Sequence, residues 1–243
     1  MSGARGRELA VEGVSVRYGG VAALDEVSLQ VAPGAVVGLI GPNGAGKTTL
    51  INAVTGVVRP AQGRIALGGT QLERLPQYRV ARCGIARTYQ NIRLFGALSV
   101  GENVRAGAIA RPGRLSDTEA RALLARAAMH EADLARRAGS LPYGEQRRLE
   151  IARALAAQPA VLLLDEPAAG MNPAETHELR EVIRAIAAGG TGVLLVEHDM
   201  SLVSAVCDSV VVLNFGEVIA TGTPTEVARN PAVIEAYLGT SEA

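Results

Sequence analysis

The stretch AVVGLIGPNGAGKTTLINAVTG, residues 35–56, narrows the folds open to this chain more than any other segment. A continuous apolar run of strand length leads into a glycine-rich loop, and the loop leads into a segment of helical spacing that ends at Gly56. Of the 24 lysine and arginine residues one alone is lysine, Lys47, and it stands in this loop. GPNGAGKT fits the pattern Gly, four residues, Gly, Lys, Ser/Thr in the strand–loop–helix setting that pattern requires. The backbone N–H groups of Asn43 to Lys47 would curl into a concave anion site, with the positive end of the following helix dipole beneath them. Gly41, Gly44 and Gly46 allow close approach, and Pro42, Ala45 and Thr49 complete the candidate phosphate-binding set. A lysine suits the loop because an ammonium is a compact point charge on a thin stem, whereas a planar guanidinium would collide with a loop wrapped round two phosphates. The Thr48 hydroxyl suits Mg²⁺, so the implied ligand is a Mg-nucleotide.

The rest of the chain supports a parallel sheet around this loop. ELAVEGVSVRYGG and ALDEVSLQV alternate apolar and polar residues about a Gly-Gly turn and predict an antiparallel hairpin forming an edge sheet. A short strand pair, GRIALGG and GIARTYQ, follows. Residues 91–140 then turn Ala- and Arg-rich, with helical periodicity throughout DTEARALLARAAMHEADLARRAG, and predict a helical insertion. From Gly144 helix, buried strand (AVLLLD), helix and buried strand (GVLLVEHD) alternate, as expected of a sheet covered on both faces. A hairpin, VVVLNFG and EVIATG, and a last helix through VIEAYLG close the chain. The expected fold is α/β: one domain over 1–243, with a core of 1–90 and 141–243 and a helical subdomain of 91–140.

Several side chains fall where such a sheet collects its ligands. Asp165 and Glu166 in AVLLLDEP end a buried strand, where one carboxylate can hold the Mg²⁺ water shell and its neighbour can polarise an attacking water. The competing reading is an acidic helix N-terminus before a proline. His198 in GVLLVEHDM ends another buried strand and could meet the γ-phosphate, although a strand-end histidine is more often structural. Tyr18 offers a flat face for adenine, and Gln90 ends a strand just before the helical insertion. LPYGEQRRLEIARAL puts Gly144, Glu145 and Gln146 at a helix start, a second anion site for which nothing nearby supplies the anion.

Composition removes other classes. Lys plus Arg and Asp plus Glu balance at 24 each, so the surplus positive charge of a nucleic-acid-binding protein is missing. Cys83 and Cys207 lack metal-ligand spacing and are expected as reduced structural thiols. MSGARGRELA lacks the apolar core of a signal peptide, and no apolar run reaches the ~18 residues a membrane span needs, which predicts a soluble cytosolic chain. An Asn-Lys-x-Asp base-reading motif is absent, because the one lysine is already placed. His130 and His177 are expected on polar helix surfaces without metal partners.

In order, GPNGAGKT, Gln90, LPYGEQ, LLLDEP and EHD resemble the ATP-binding subunits of ABC transporters over essentially the whole chain. That resemblance implies ATP and Mg²⁺ as ligands, Glu166 and His198 as catalytic residues, and Gln90 beside Thr48 and Asp165 around the metal. It implies that the signature segment Pro142, Tyr143, Gly144, Glu145 and Gln146 acts in trans on the phosphate loop of a second ATP-binding subunit. Gln90 and the 91–140 arm would engage membrane permease subunits, and these in turn a substrate-binding protein. The chain would lie peripherally on the cytoplasmic face of the plasma membrane. NIRLF, YGEQRRLEIARAL, DEPAAGMNP and PAVIEAYLG look like the subunits of branched-chain amino-acid importers. The alternative is a soluble ATPase of the same superfamily, not coupled to transport. Two segments depart from the family: the usual Leu-Ser-Gly-Gly-Gln reads LPYGE, so Pro142 replaces a serine and Tyr143 a glycine, and Asn172 stands where Asp is common. Proline has neither hydroxyl nor N–H, which implies a weakened composite site and favours a heterodimer with a second, complete ATPase over a homodimer.

Overall fold

The computed structural model describes residues 6–109 and 113–238. Strands β1 (Leu9–Tyr18) and β2 (Val21–Val31) form the expected hairpin, with Leu9 opposite Val31 and Tyr18 opposite Val21. The apolar run becomes β3 (Val36–Ile40), all five residues buried, and the loop opens into α1 (Lys47–Val54). Next come β4 (Gln62–Leu67), β5 (Thr70–Gln71), α2 (Gln77–Cys83) and β6 (Ile85–Arg87). Helices α3 (Val100–Gly107) and α4 (Asp117–Arg126) and a 3₁₀ turn at Ala138–Ser140 precede α5 (Tyr143–Ala156). The second half runs β7 (Val161–Asp165), α6 (Pro173–Ala188), β8 (Gly192–Val196), α7 (Met200–Val206), β9 (Ser209–Asn214), β10 (Glu217–Gly222), α8 (Pro224–Ala228) and α9 (Pro231–Leu238).

Two sheets result. One, ordered β2-β1-β4-β5, is antiparallel; the other, ordered β10-β9-β3-β8-β7-β6, is parallel except for the antiparallel edge strand β10. The central places go to β3, β8 and β7, whose fifteen positions are all buried. Burying each Val, Leu or Ile contributes about 1.5–3 kcal/mol, so these unbroken apolar strands belong between two covering layers and not at an edge. Leu39 and Asp165 both register with Val196, which brings the carboxyl ends of β3, β7 and β8 to one edge of the sheet. That edge is where a doubly wound sheet collects a ligand.

The structure corrects four sequence expectations. GRIALGG and GIARTYQ are not partners: β4 joins β1 in the antiparallel sheet, whereas β6 stops at Arg87 and pairs with β7. Gln90 therefore lies three residues beyond its strand. The helical pattern over 117–139 ends as α4 at Arg126, and Ala128 then takes a left-handed φ of 57°. His130 consequently sits exposed in a turn, while His177 is exposed on α6 as expected. Helices α2, α7 and α8, of seven residues or fewer, went unread because so short a segment shows barely two turns of periodicity.

The helices of the 91–140 region pack on α5. A Cβ on Gly107 would fall 1.9 Å from the carbonyl oxygen of Arg153, so α3 meets α5 backbone to backbone and only glycine fits. Cys83 and Cys207 are free, and burial pushes the Cys207 thiol up to about 12. Among the described residues no helix is long and apolar enough to cross a membrane.

Asn172 acquires a local role. Its side-chain oxygen accepts from the Glu175 amide at 3.0 Å, and Glu175 accepts from the Asn172 amide at 2.9 Å, a capping box at the start of α6. Asn172→Ala should cost about 1 kcal/mol in denaturant unfolding, whereas Asn172→Asp, an equally good cap, should stay close to wild type. Equal loss in both variants would count against the cap.

Candidate nucleotide site

Gly41 leaves β3 and begins the loop. Ala45 N–H donates to Pro42 at 3.2 Å, and Gly46, in a left-handed conformation of φ 107°, hands the chain to α1. A Cβ on Gly46 would stand 2.7 Å from the Ala23 carbonyl oxygen, so the loop lies directly against β2. The turn after β9 holds it from the other side: Gly216 N–H donates to Ala45 at 3.0 Å, and Gly216 accepts from Asp25 N–H at 2.9 Å. Lys47 folds back so that Nζ donates to the carbonyls of Gly41 at 2.5 Å and Pro42 at 2.9 Å. Burial lowers the pKa of this ammonium, opposed by the Glu166 and Asp165 carboxylates that face it. Thr48 is exposed and Thr49 half-buried on the first turn of α1.

The opposite wall comes from β7 and β8. Asp165, at the end of β7, is 7% exposed, and its Oδ2 accepts from Arg87 Nη2 at 2.7 Å. The other arm of Arg87 reaches Asn52 Oδ1 at 2.8 Å on α1. Glu166 turns out of the strand at φ 46°, a conformation that costs a non-glycine residue about 1–3 kcal/mol and that clusters at functional sites. The turn is fixed by a bond from Glu166 N–H to Val196 at 2.9 Å. Glu166 Oε2 accepts from Gln90 Nε2 at 2.7 Å, joining two of the predicted residues. The acidic helix start offered by the competing reading is not present: DEP enters a turn, and α6 begins only at Pro173.

His198 lies two residues past β8 with a 65% exposed side chain, its Nδ1 3.9 Å from Glu197 Oε2. Glu197 is buried and accepts from the amides of Ala168 at 3.0 Å and His198 at 3.2 Å. It therefore ties the end of β8 to the loop that follows Glu166, and burial raises its carboxyl pKa.

Gly41, Pro42, Asn43, Gln90, Glu166 and His198 line one cleft of about 540 Å³ with Tyr237 of α9. Tyr18, half-exposed at the tip of the β1–β2 hairpin, is not in that lining. Nor are residues 142–146. Pro142 is the N-cap of α5, Tyr143 is 45% exposed, Gly144 abuts Glu175, Glu145 lies 3.7 Å from Arg136, and Gln146 Nε2 donates to Leu141 at 2.8 Å. Sequence reading missed Arg87, Glu197 and Tyr237, all placed by strand register or by a distant helix. The one signal available was the run Glu197, His198, Asp199 at a strand end.

A bent loop of amides at a helix start, one ammonium, one hydroxyl and one buried carboxylate form a donor set that fits a polyphosphate and a hard divalent cation.

Known proteins share these features. The family described as ABC transporter matches residues 24–169, and that described as branched-chain amino acid ATP-binding cassette transporter matches residues 217–243. The high-affinity branched-chain amino acid transport ATP-binding protein BraF of Pseudomonas aeruginosa is 44% identical over 249 residues, covering 95% of this chain and 97% of its own. LivG of Escherichia coli (strain K12), of the same description, is 44% identical over 253 residues with the same coverage. The crystal structure of the ADP conformation of an ATP-binding cassette of an ABC transporter superposes with a TM-score of 0.86 at 29% identity, covering 96% of this chain and 99% of that one.

Proposed function

Because the chain belongs to the ABC transporter family and is an ATPase of that family, we propose that it powers a membrane importer for branched-chain or other hydrophobic amino acids, working peripherally at the cytoplasmic membrane face. The observation that carries the catalytic part is the convergence of the Lys47 loop, Gln90 and Glu166 on one cleft. The substrate class rests on the relatives' described roles and on the match over residues 217–243.

In this reading Lys47 and the amides of residues 43–47 hold the β- and γ-phosphates. Glu166 accepts the proton of the attacking water, and Gln90 aims its carboxylate through the 2.7 Å bond. His198 stands across the cleft to meet the γ-phosphate. Mg²⁺, held by Thr48 and Asp165 with Gln90 nearby, supplies charge neutralisation at the phosphate oxygens. Arg87, bonded to the Asp165 carboxylate at 2.7 Å, holds it in place beside the cleft.

The permease surface is assigned to a groove of about 510 Å³ between the core and the α3–α5 layer. Tyr89, Arg93, Phe95 and Arg153 line it, and Phe95 is 54% exposed. Its wall at Tyr89 adjoins Gln90, so a partner seated there touches the segment that holds Glu166. Pro142 and Tyr143 present the α5 N-terminus to a second ATP-binding subunit.

Affinity isolation of the tagged chain from detergent-solubilised membranes should recover two polytopic proteins and a second ATPase in stoichiometric amounts. Recovery of the self-associated chain alone would overturn the transporter reading. In the assembled complex Pro142→Ser should raise ATP turnover, and an unchanged rate would show that the missing serine does not limit it.

A further inference from the structure

The proposed chemistry leaves a buried charge unused. Arg147, in the first turns of α5, has no exposed side-chain surface. Its Nη1 donates to the Tyr89 carbonyl at 2.5 Å and to Glu150 Oε2 at 3.0 Å; its Nη2 donates to the Gln90 carbonyl at 2.6 Å and to the Tyr143 hydroxyl at 3.2 Å. The other Glu150 oxygen accepts from the Arg93 amide at 3.1 Å. One guanidinium thus grips the carbonyls of the two peptides that flank the Gln90 Cα, while the Gln90 side chain is bonded to Glu166. Glu166 is therefore linked to the start of α5 through Gln90, Arg147 and the Tyr143 hydroxyl.

We propose that Arg147 is a positioning residue that carries the state of Gln90 and Glu166 to Tyr143 and the α5 N-terminus, so that nucleotide in the cleft resets the surface offered to the second subunit. The proposal rests on the reading of the cleft as the nucleotide site. It gives the Tyr143 departure a use, since a glycine there supplies neither hydroxyl nor ring. The role needs a planar fork that serves two carbonyls, a carboxylate and a hydroxyl together; an ammonium on a single stem cannot span them.

The test uses the full chain with Mg²⁺ and a non-hydrolysable ATP analogue, comparing wild type, Arg147→Lys and Tyr143→Phe. Analogue affinity and amide hydrogen exchange over 88–93 and 143–148 are measured together. In wild type the analogue should slow exchange several-fold in both segments. In both variants the response at 88–93 should persist, while that at 143–148 disappears. Should Arg147→Lys melt early, Tyr143→Phe decides, because it removes one hydroxyl from a half-exposed ring. An undiminished response at 143–148 in Tyr143→Phe, or no response there in wild type that does bind the analogue, overturns the coupling. Failure of wild type to bind the analogue overturns the nucleotide site itself, a separate result.

Discussion

Glu166→Gln should lower ATP turnover by about 10²–10⁴-fold, the usual worth of a positioned proton acceptor, while ATP affinity changes by no more than a few-fold. The substitution is close to isosteric, and Gln90 Nε2 can still donate to the remaining side-chain oxygen, so the 2.7 Å contact that shapes this side of the cleft survives. Backbone placement survives too, because the bond from the residue 166 amide to Val196 does not involve the side chain. What disappears is the capacity to take a proton from water. Steady-state turnover and equilibrium binding of labelled ATP separate the two effects. A loss of less than tenfold would remove Glu166 from the catalytic role.

Lys47→Ala should weaken nucleotide binding by about 10–10²-fold, from the 1.5–3 kcal/mol typical of a hydrogen bond to a charged group. The same change should leave the unliganded protein as stable as wild type or slightly more stable. Burial lowers the Lys47 pKa below its unfolded value. The fold therefore disfavours the ammonium; this penalty is present below the folded pKa and vanishes once pH rises above the unfolded one. Removing the lysine at neutral pH lifts that penalty, and adding polyphosphate to wild type offsets it. Thermal melts with and without Mg-ATP check both halves: the nucleotide-induced rise in Tm should shrink in the variant while the unliganded Tm holds. A fall in the unliganded Tm would mean that the Lys47 bonds to Gly41 and Pro42 are chiefly structural.

The core and the glycine-rich loop between β3 and α1 were legible because each is written in a contiguous segment. VVGLI, VLLLD and GVLLV are apolar at nearly every position, which only a strand covered on both faces requires, and the loop pattern lies between such a strand and a helix. Arg87 was illegible for the opposite reason. Its pairing with Asp165 depends on β6 lying beside β7, whose residues stand seventy-six positions on in register (Arg87 opposite Leu163), and three residues of strand carry no mark of their partner. Glu197 and Arg147 are read as solvated charges by default, since burial of a charged side chain shows only when its partners are assembled. The over-long helix at 117–139 came from arginines and alanines that keep helical spacing after the chain has turned at Ala128.

The order of strands also bears on synthesis. β3, which delivers the phosphate loop from the first fifth of the chain, is hydrogen-bonded on one side to β8 and on the other to β9, and the loop is clamped by Gly216. A chain growing from its N-terminus thus emerges from the ribosome with the lysine and glycines of the candidate site in hand long before the strands that shape them exist. No N-terminal fragment short of the β9–β10 turn contains both neighbours of β3 and the Gly216 clamp, so the loop takes its shape only after β9 has been made.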